Sequence, residues 1–356
     1  MKKTMEDYIR EITPTLLQNI EDRKKLTGEL VEKLKSEDEG RNKTIVIVAS
    51  GSSYNATAGA IPFMKSCMGD VFRLVTPFEF TYYEEPDENK VYLFTSQSGR
   101  STNTIKAIEK YRKNGKNAIA IVGNRDSVMG KMAEVCIEYG VGEEKVGYVT
   151  KGMSTLCLFF MLLALELAES DISKAEYEEK LSRIKEVAGK HIMVVDKTVE
   201  FCKMHIKDLL SMDRIFCISG GANMATAEEG ALKISEMVHV QTTVYEAEEF
   251  IHGPNLQITP NYTLFFVDGG DEGGKRIREI HNAAAKVTDK AYLISAEDFV
   301  ENGDEKLTPL FLVGFFQYIA YFVSKALNIT TEHPLLEEFE KVVSSKAGGY
   351  TEEAPF

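Results

Sequence analysis

Short apolar runs alternate with helical patterns along most of the chain. In the first half, runs at residues 45–49, 71–75, 90–94, 117–122 and 135–139 have the length and the branched side chains of buried strands. Helical spacing of apolar residues separates these runs, and an apolar stretch from Ser154 to about Glu169 closes the series. Strands that alternate with helices predict a parallel sheet with helices on both faces.

The same alternation starts again after a charged stretch at residues 171–210, which we interpret as connecting helices. Further strands are predicted at residues 214–218, 241–245, 262–267 and 291–294, and a helix from about Met224 to Val238. Ser50-Gly51 and Ser219-Gly220 end corresponding strands about 169 residues apart, so the second half looks like a second copy of the first.

The predicted fold class is therefore α/β, with two tandem domains that are each a doubly wound parallel sheet flanked by helices. The expected boundaries are an N-terminal helical segment at 1–40, a first domain at 41–170, a helical linker at 171–210, a second domain at 211–328 and a C-terminal tail at 329–356.

Composition narrows the choice of partners and compartment. The formal net charge of −13 argues against binding to nucleic acid or an anionic membrane. The five cysteines contain no close pair, which favours the reducing cytoplasm and disfavours zinc. The apolar segments 156–165 and 310–323 fall short of the roughly 20 residues that span a bilayer, so we interpret them as buried helices. The N-terminus lacks the apolar core of a secretory signal.

A loop rich in hydroxyl groups follows the third predicted strand. Its sequence is Ser96-Gln97-Ser98-Gly99-Arg100-Ser101, and a helical pattern with Ile105 and Ile108 comes next. Hydroxyls and free backbone N–H groups at a helix N-terminus suit a phosphate dianion. The loop contains no lysine, so it is not a nucleotide-binding P-loop. The alternative is that the serines only cap the helix.

Several motifs together resemble the double-domain members of the sugar isomerase (SIS) family. That family includes the isomerase half of glucosamine-6-phosphate synthase and the related sugar-phosphate deaminases and deglycases. The matching segments are Ala49–Tyr54, Ser96–Gly99 with Ser101, Tyr148–Lys151, Glu229–Glu236 and Glu249–Pro254. The last two segments place Glu236 and His252 sixteen residues apart, which is a specific signal.

The resemblance implies a role for individual residues. Ser96, Gln97, Ser98 and Ser101 would bind the sugar phosphate, and Gly51, Ser52, Ser53 and Val149 would contact the sugar. Glu236 would be the base that moves a proton between C1 and C2. Lys233, on the same predicted helix, is also expected to be catalytic. The alternative is that Lys233 and Glu236 form only a structural ion pair along the helix.

His252 would open the sugar ring and, in the family, comes from the neighbouring subunit, which implies a homodimer with shared active sites. His239 is a weaker rival, and His191, His205 and His281 are expected to be solvated. Lys341 resembles a tail lysine that forms an imine with the open sugar, although a solvated charge is the alternative.

The expected function is an isomerase, deaminase or deglycase acting on an amino- or glycated hexose 6-phosphate, with no cofactor and no metal. Arg100 resembles the deaminase branch, the tail motif from Glu332 to Val343 resembles the deglycase branch, and a glutaminase domain is not expected. Plain aldose–ketose isomerisation and a non-catalytic sugar-phosphate sensor are the alternatives. The acidic loop from Val267 to Asp271 is expected to repel an anion, so only the first half should hold phosphate.

Overall fold

A computed structural model describes residues 3–38, 43–301, 303–329 and 336–348. The described residues form two compact units. The first unit comprises residues 15–182 and the tail at 336–348, and the second comprises residues 3–14 and 183–329. The predicted boundary at 40/41 and the tail motif at 332–335 lie outside the described residues. The other predicted domain boundaries stay predictions.

Nine strands in the described part of the chain match the predicted runs to within two residues at each end. They are β1 (Thr44–Val48), β2 (Phe72–Val75), β3 (Lys90–Ser96), β4 (Ile119–Val122), β5 (Val135–Glu138), β6 (Arg214–Ser219), β7 (Gln241–Glu246), β8 (Tyr262–Asp268) and β9 (Ala291–Ser295).

The helices fill the connections between strands. They are α1 (Met5–Glu21), α2 (Arg23–Asp38), α3 (Ser52–Met68), α4 (Pro77–Tyr83), α5 (Thr102–Lys113), α6 (Val128–Met132), α7 (Lys151–Leu167), α8 (Lys174–Ala188), α9 (His191–Met204), α10 (Ile206–Leu210), α11 (Met224–Val238), α12 (Ala247–Ile251), α13 (Glu272–Ala284), α14 (Pro309–Ala326) and α15 (Leu336–Glu340).

The first unit contains a five-stranded parallel sheet in the order β2-β1-β3-β4-β5. Helix α7 is buried along its whole length and packs against α2 and α3. The chain leaves β1 for β2 on one side, and β3 then lies on the other side of β1. In a doubly wound sheet, ligands bind outside the carboxyl ends of the strands at such a switch point.

The second unit repeats this order with four parallel strands, β7-β6-β8-β9. Helix α14 packs against α9 and α11. The turn after the first strand of each unit contains a glycine, Gly51 or Gly221, with the same φ of 56°. The predicted fold class, two tandem α/β domains with parallel sheets, is confirmed.

Within the described residues, two helices are long and apolar enough to cross a membrane by length and composition, Lys151–Ser170 and Pro309–Ala326. The α-helices themselves extend a few residues beyond the predicted apolar runs at 156–165 and 310–323. Their burial supports the core interpretation, since 94% and 83% of their apolar windows lie inside the protein.

Two local predictions need correction. The N-terminal helical segment contains two helices, because α1 ends at Glu21 and α2 begins at Arg23. His191 is fully buried rather than solvated, because α9 packs it close to Gly314 of α14. His205 and His281 are half-buried.

Candidate functional site

A cavity of about 380 Å³ opens at the carboxyl ends of the strands in the first unit. Residues that follow β1, β3, β4 and β5 line it, as the switch-point rule predicts. The predicted phosphate and sugar residues among them are Ser52, Ser53, Ser96, Gln97, Ser98, Ser101 and Val149. Gly51 is not a lining residue; its positive φ of 56° forms the turn that presents Ser52 and Ser53.

The hydroxyls of the loop after β3 face one another. The Oγ atoms of Ser96 and Ser101 lie 2.9 Å apart, and those of Ser96 and Ser98 lie 3.5 Å apart. Ser101 is the N-cap residue of α5, yet its side chain makes no capping hydrogen bond. The backbone N–H of Arg100 donates to Ser98 Oγ at 3.2 Å. The hydroxyls therefore form a cluster at the helix N-terminus instead of simply capping it.

Gly99 gives this loop its tight shape. Its φ of 58° lies in the left-handed region, and a Cβ atom there would lie 2.1 Å from Ser127 Oγ. Its carbonyl accepts a hydrogen bond from the N–H of Met129 at 2.9 Å. The loop is therefore fastened to the start of α6, and a side chain at residue 99 would displace it.

Glu144 is a site residue that sequence reasoning missed. Its carboxylate accepts hydrogen bonds from Gln97 Nε2 at 2.9 Å, from the N–H of Thr150 at 2.8 Å and from the N–H of Lys151 at 2.6 Å. Burial raises the pKa of Glu144, and these hydrogen bonds oppose the rise. We call residues 96–101, the predicted phosphate-binding loop, the phosphate loop. The Glu144 carboxylate thus joins Gln97 of the phosphate loop to the N-terminus of α7. An acidic residue shortly before a long apolar helix was the available signal.

The tail contributes a second missed residue, Lys346, which lines the cavity. The predicted tail lysine, Lys341, does not line it. Lys341 follows α15, is exposed, and pairs with Glu338 at 2.5 Å and Glu337 at 3.9 Å. Its role in catalysis stays a prediction, and the solvated-charge alternative agrees with its exposure.

Glu236 and Lys233 lie on α11 in the second unit. Lys233 is buried, and its Nζ lies 2.5 Å from Glu236 Oε2 and 3.6 Å from Glu229 Oε1. Glu236 is half-buried, with 32% of its side chain exposed. The helix pair considered as the structural alternative is therefore present. A carboxylate that is held by a buried ammonium yet reaches solvent can also take up a proton, so the predicted role as base stays open to test.

His252 directly follows α12, and its side chain is exposed. Its backbone N–H donates to the Glu249 carbonyl at 3.2 Å, and Gly253 has a φ of 145°. A turn therefore follows α12 at His252, while the role of this histidine in ring opening stays a prediction. His239 is exposed at the end of α11 in a left-handed conformation.

In the acidic loop of the second unit, the hydrogen-bond donors bind a carboxylate of the loop itself. Asp268 is fully buried and accepts hydrogen bonds from the N–H of Gly270 at 2.7 Å, from Ser295 Oγ at 2.8 Å, and from Arg278. The donors that could hold a phosphate there are already engaged, which agrees with the interpretation that only the first half binds phosphate.

Comparisons with known proteins agree with this architecture. The family model described as SIS domain matches residues 41–166 and 208–298. The isomerizing glutamine–fructose-6-phosphate aminotransferase of Pyrobaculum aerophilum is 25% identical over 315 residues, which are 82% of this chain and 50% of that protein. The chain spans about half the length of the curated relatives that it matches.

Two solved structures share the fold. A proposed phosphosugar isomerase from Clostridium difficile 630 has a TM-score of 0.84 at 22% identity, covering 97% of this chain and 100% of that one. The C-terminal domain of glucosamine-fructose-6-phosphate aminotransferase from Francisella tularensis has a TM-score of 0.76 at 19% identity, covering 91% and 96%.

Proposed function

The chain belongs to the SIS domain family, and from that premise we propose that it is an enzyme acting on an amino- or glycated hexose 6-phosphate. The observation that carries the proposal is the cluster of Ser96, Ser98 and Ser101 hydroxyls in a cavity at the N-terminus of α5. Hydroxyl and backbone donors at a helix N-terminus stabilise a phosphate dianion, and the cavity is large enough for a hexose.

In the proposed reaction, a carboxylate base moves a proton between C1 and C2 of the open sugar. Glu236 removes the proton from one carbon, an enediol or enamine forms, and the same carboxyl returns the proton to the neighbouring carbon. The buried Lys233 ammonium, 2.5 Å away, holds the carboxylate in position. When C1 or C2 bears nitrogen, water then hydrolyses the resulting imine and releases ammonia or an amine.

Ring opening precedes this proton transfer, and we assign it to His252. An imidazole can take the proton of the anomeric hydroxyl and return one to the ring oxygen. Its exposed position after α12 leaves the ring accessible to a sugar. The same residues would also serve plain aldose–ketose isomerisation, which differs only in the absence of nitrogen.

The substrate is tested with a panel of glucosamine 6-phosphate, fructoselysine 6-phosphate, glucoselysine 6-phosphate and fructose 6-phosphate. Released ammonia identifies a deaminase, a released amino acid identifies a deglycase, and a changed sugar without either identifies an isomerase. Binding of these sugars without turnover of any would contradict the enzymatic proposal and favour a sensor.

The phosphate site is tested with Ser96→Ala and Ser98→Ala. Each removes a hydrogen bond to a charged group, which is worth about 1–3 kcal/mol, so we expect KM to rise about 10- to 100-fold with a smaller change in kcat. Ser66→Ala is the control, because that hydroxyl bonds to the Phe63 carbonyl within α3 and does not line the cavity. An unchanged KM in both variants would place the phosphate elsewhere.

A further inference from the structure

The C-terminal tail is hydrogen-bonded to the phosphate loop. We call residues 344–348 the docked tail. Lys346 forms an antiparallel bridge with Ser101. The hydrogen bonds that hold the docked tail are Thr102 N to Ser345 O at 3.0 Å, Thr102 Oγ1 to Ser344 O at 2.9 Å, Ala347 N to Arg100 O at 2.8 Å, and Arg100 Nη1 to Gly348 O at 3.1 Å.

This pairing brings a positive charge to a cavity that has little of its own. The charged side chains that line the cavity are Arg100, Asp126, Glu143, Glu144 and Lys346. The Arg100 guanidinium donates to the Gly348 carbonyl of the docked tail. Three carboxylates against two cations are a poor match for a phosphate dianion unless a cation lies beside it.

We propose that Lys346 is the phosphate-binding cation of this site and that the site is complete only when the tail is docked. The proposal rests on the proposed function, in which the hydroxyl cluster holds the phosphate. Lys346 is paired with Ser101, a member of that cluster, and lines the same cavity. An ammonium donates a charge-assisted hydrogen bond to a phosphate and also brings the opposite charge, which a hydroxyl does not.

A cation carried on the tail couples docking to binding. A phosphate that contacts Lys346 binds the docked form more tightly than the undocked form, so it shifts the tail toward docking. The docked tail in turn raises the affinity for phosphate by the same factor. Binding of the sugar phosphate would therefore stabilise the docked tail, which completes the phosphate site.

The first test measures binding of inorganic phosphate to the full chain by calorimetry. We expect Lys346→Met to weaken binding at least tenfold and to flatten its dependence on salt, and Lys346→Arg to restore most of the affinity because it restores the charge. Lys131→Met is the matched control, because it removes the same charge from an exposed residue of α6 that does not line the cavity.

The second test follows the tail in the unaltered protein. We expect inorganic phosphate to slow tryptic cleavage after Lys346, read by mass spectrometry, relative to cleavage after the exposed Lys203 of α9. The inference about Lys346 would be wrong, with the proposed function unaffected, in either of two cases. Lys346→Met binds phosphate as tightly as the wild type, or phosphate binds without slowing cleavage after Lys346. If the wild type binds neither phosphate nor a hexose phosphate, the proposed function itself fails.

Discussion

The buried ammonium of Lys233 lies between the carboxylates of Glu229 and Glu236. Glu229 is fully buried, whereas Glu236 reaches solvent, so only Glu236 can meet a substrate. A charge pair on a helix surface contributes only about 0.2–0.5 kcal/mol. Such a small contribution does not explain why Lys233 is fully buried, because burying an ammonium costs free energy. A role in holding the proposed catalytic carboxylate of Glu236 in place would explain this burial.

We expect Glu236→Gln to abolish turnover and to leave the affinity for a hexose phosphate nearly unchanged. The amide keeps the shape and accepts a hydrogen bond from Lys233, but it cannot take up the proton of C1 or C2. Single-turnover assays and calorimetry separate the two effects. Glu200→Gln is the control, because Glu200 forms the same type of pair with Lys203 at 2.7 Å on the solvent face of α9. Normal turnover in Glu236→Gln would remove it as the base.

At the scale of elements, side-chain contacts link the start of α7 to the phosphate loop. Gln97 lies where a side chain of residue 152 would be, since a Cβ on Gly152 would lie 1.6 Å from Gln97 Oε1. The Glu144 carboxylate binds both the Gln97 side chain and the first N–H groups of the helix. A change at the helix N-terminus should therefore reach the phosphate through Gln97.

We expect Gly152→Ala to raise KM about tenfold or more with little loss of stability. The new methyl group displaces the flexible end of Gln97 rather than backbone, so the fold can adapt while the phosphate loop loses this side chain. Gln97→Ala alone should raise KM by a similar factor. The Gln97→Ala/Gly152→Ala double variant should then be no worse than either single variant, as measured in a double-mutant cycle. Additive losses would show that Gly152 acts by another route.

The packing of α9 against α14 contains a titratable group that has no part in the proposed reaction. Burial lowers the pKa of His191 to about 4, although a contact with Gln317 of α14 opposes the shift. In the unfolded chain the pKa is close to 6.5. Between these values the unfolded chain binds a proton that the folded chain does not, so the free energy of unfolding falls as pH falls.

We expect this histidine to cost about 3 kcal/mol of stability between pH 7 and pH 4, from its shift of about 2.5 pKa units. Urea unfolding of the wild type and of His191→Gln at pH 7, 5.5 and 4.5 should show a smaller loss in the variant. His205→Gln is the control, because His205 is half-buried and lies next to the end of the same helix. Equal pH dependence in wild type and His191→Gln would contradict the assignment.

At the scale of the whole molecule, the sequence predicted the sheets better than the site. Most of the strands centre on an apolar run, and the serine-rich turn after β3 is local in sequence, so both were recognisable. Glu144 lies 47 residues from the glutamine that it binds, and Lys346 lies 245 residues from its bridge partner Ser101. Such pairs depend on strand order and on tail docking, which periodicity does not encode. His191 was misjudged because charged neighbours hid a buried face of α9.

The assembly of the molecule decides whether one chain contains a full set of catalytic groups. His252 and Leu256, four residues further on, are both exposed on the described surface of the second unit. The exposed leucine leaves apolar surface near this histidine that a second copy of the chain can cover. The family resemblance likewise implies that this histidine serves the neighbouring subunit. We therefore propose a homodimer with shared active sites.

We expect Glu236→Gln and His252→Ala to be nearly inactive alone and to recover activity when they are mixed. In a mixed dimer with shared sites, one site carries both changes and the other carries neither. Equal amounts that exchange subunits at random should therefore reach about a quarter of the wild-type activity, with mixed dimers counted by native mass spectrometry. Mixing Glu236→Gln with the Glu236→Gln/His252→Ala double variant is the control, because no intact site can form. If mixed dimers form and no activity returns, His252 acts within its own chain, because every site then keeps one change.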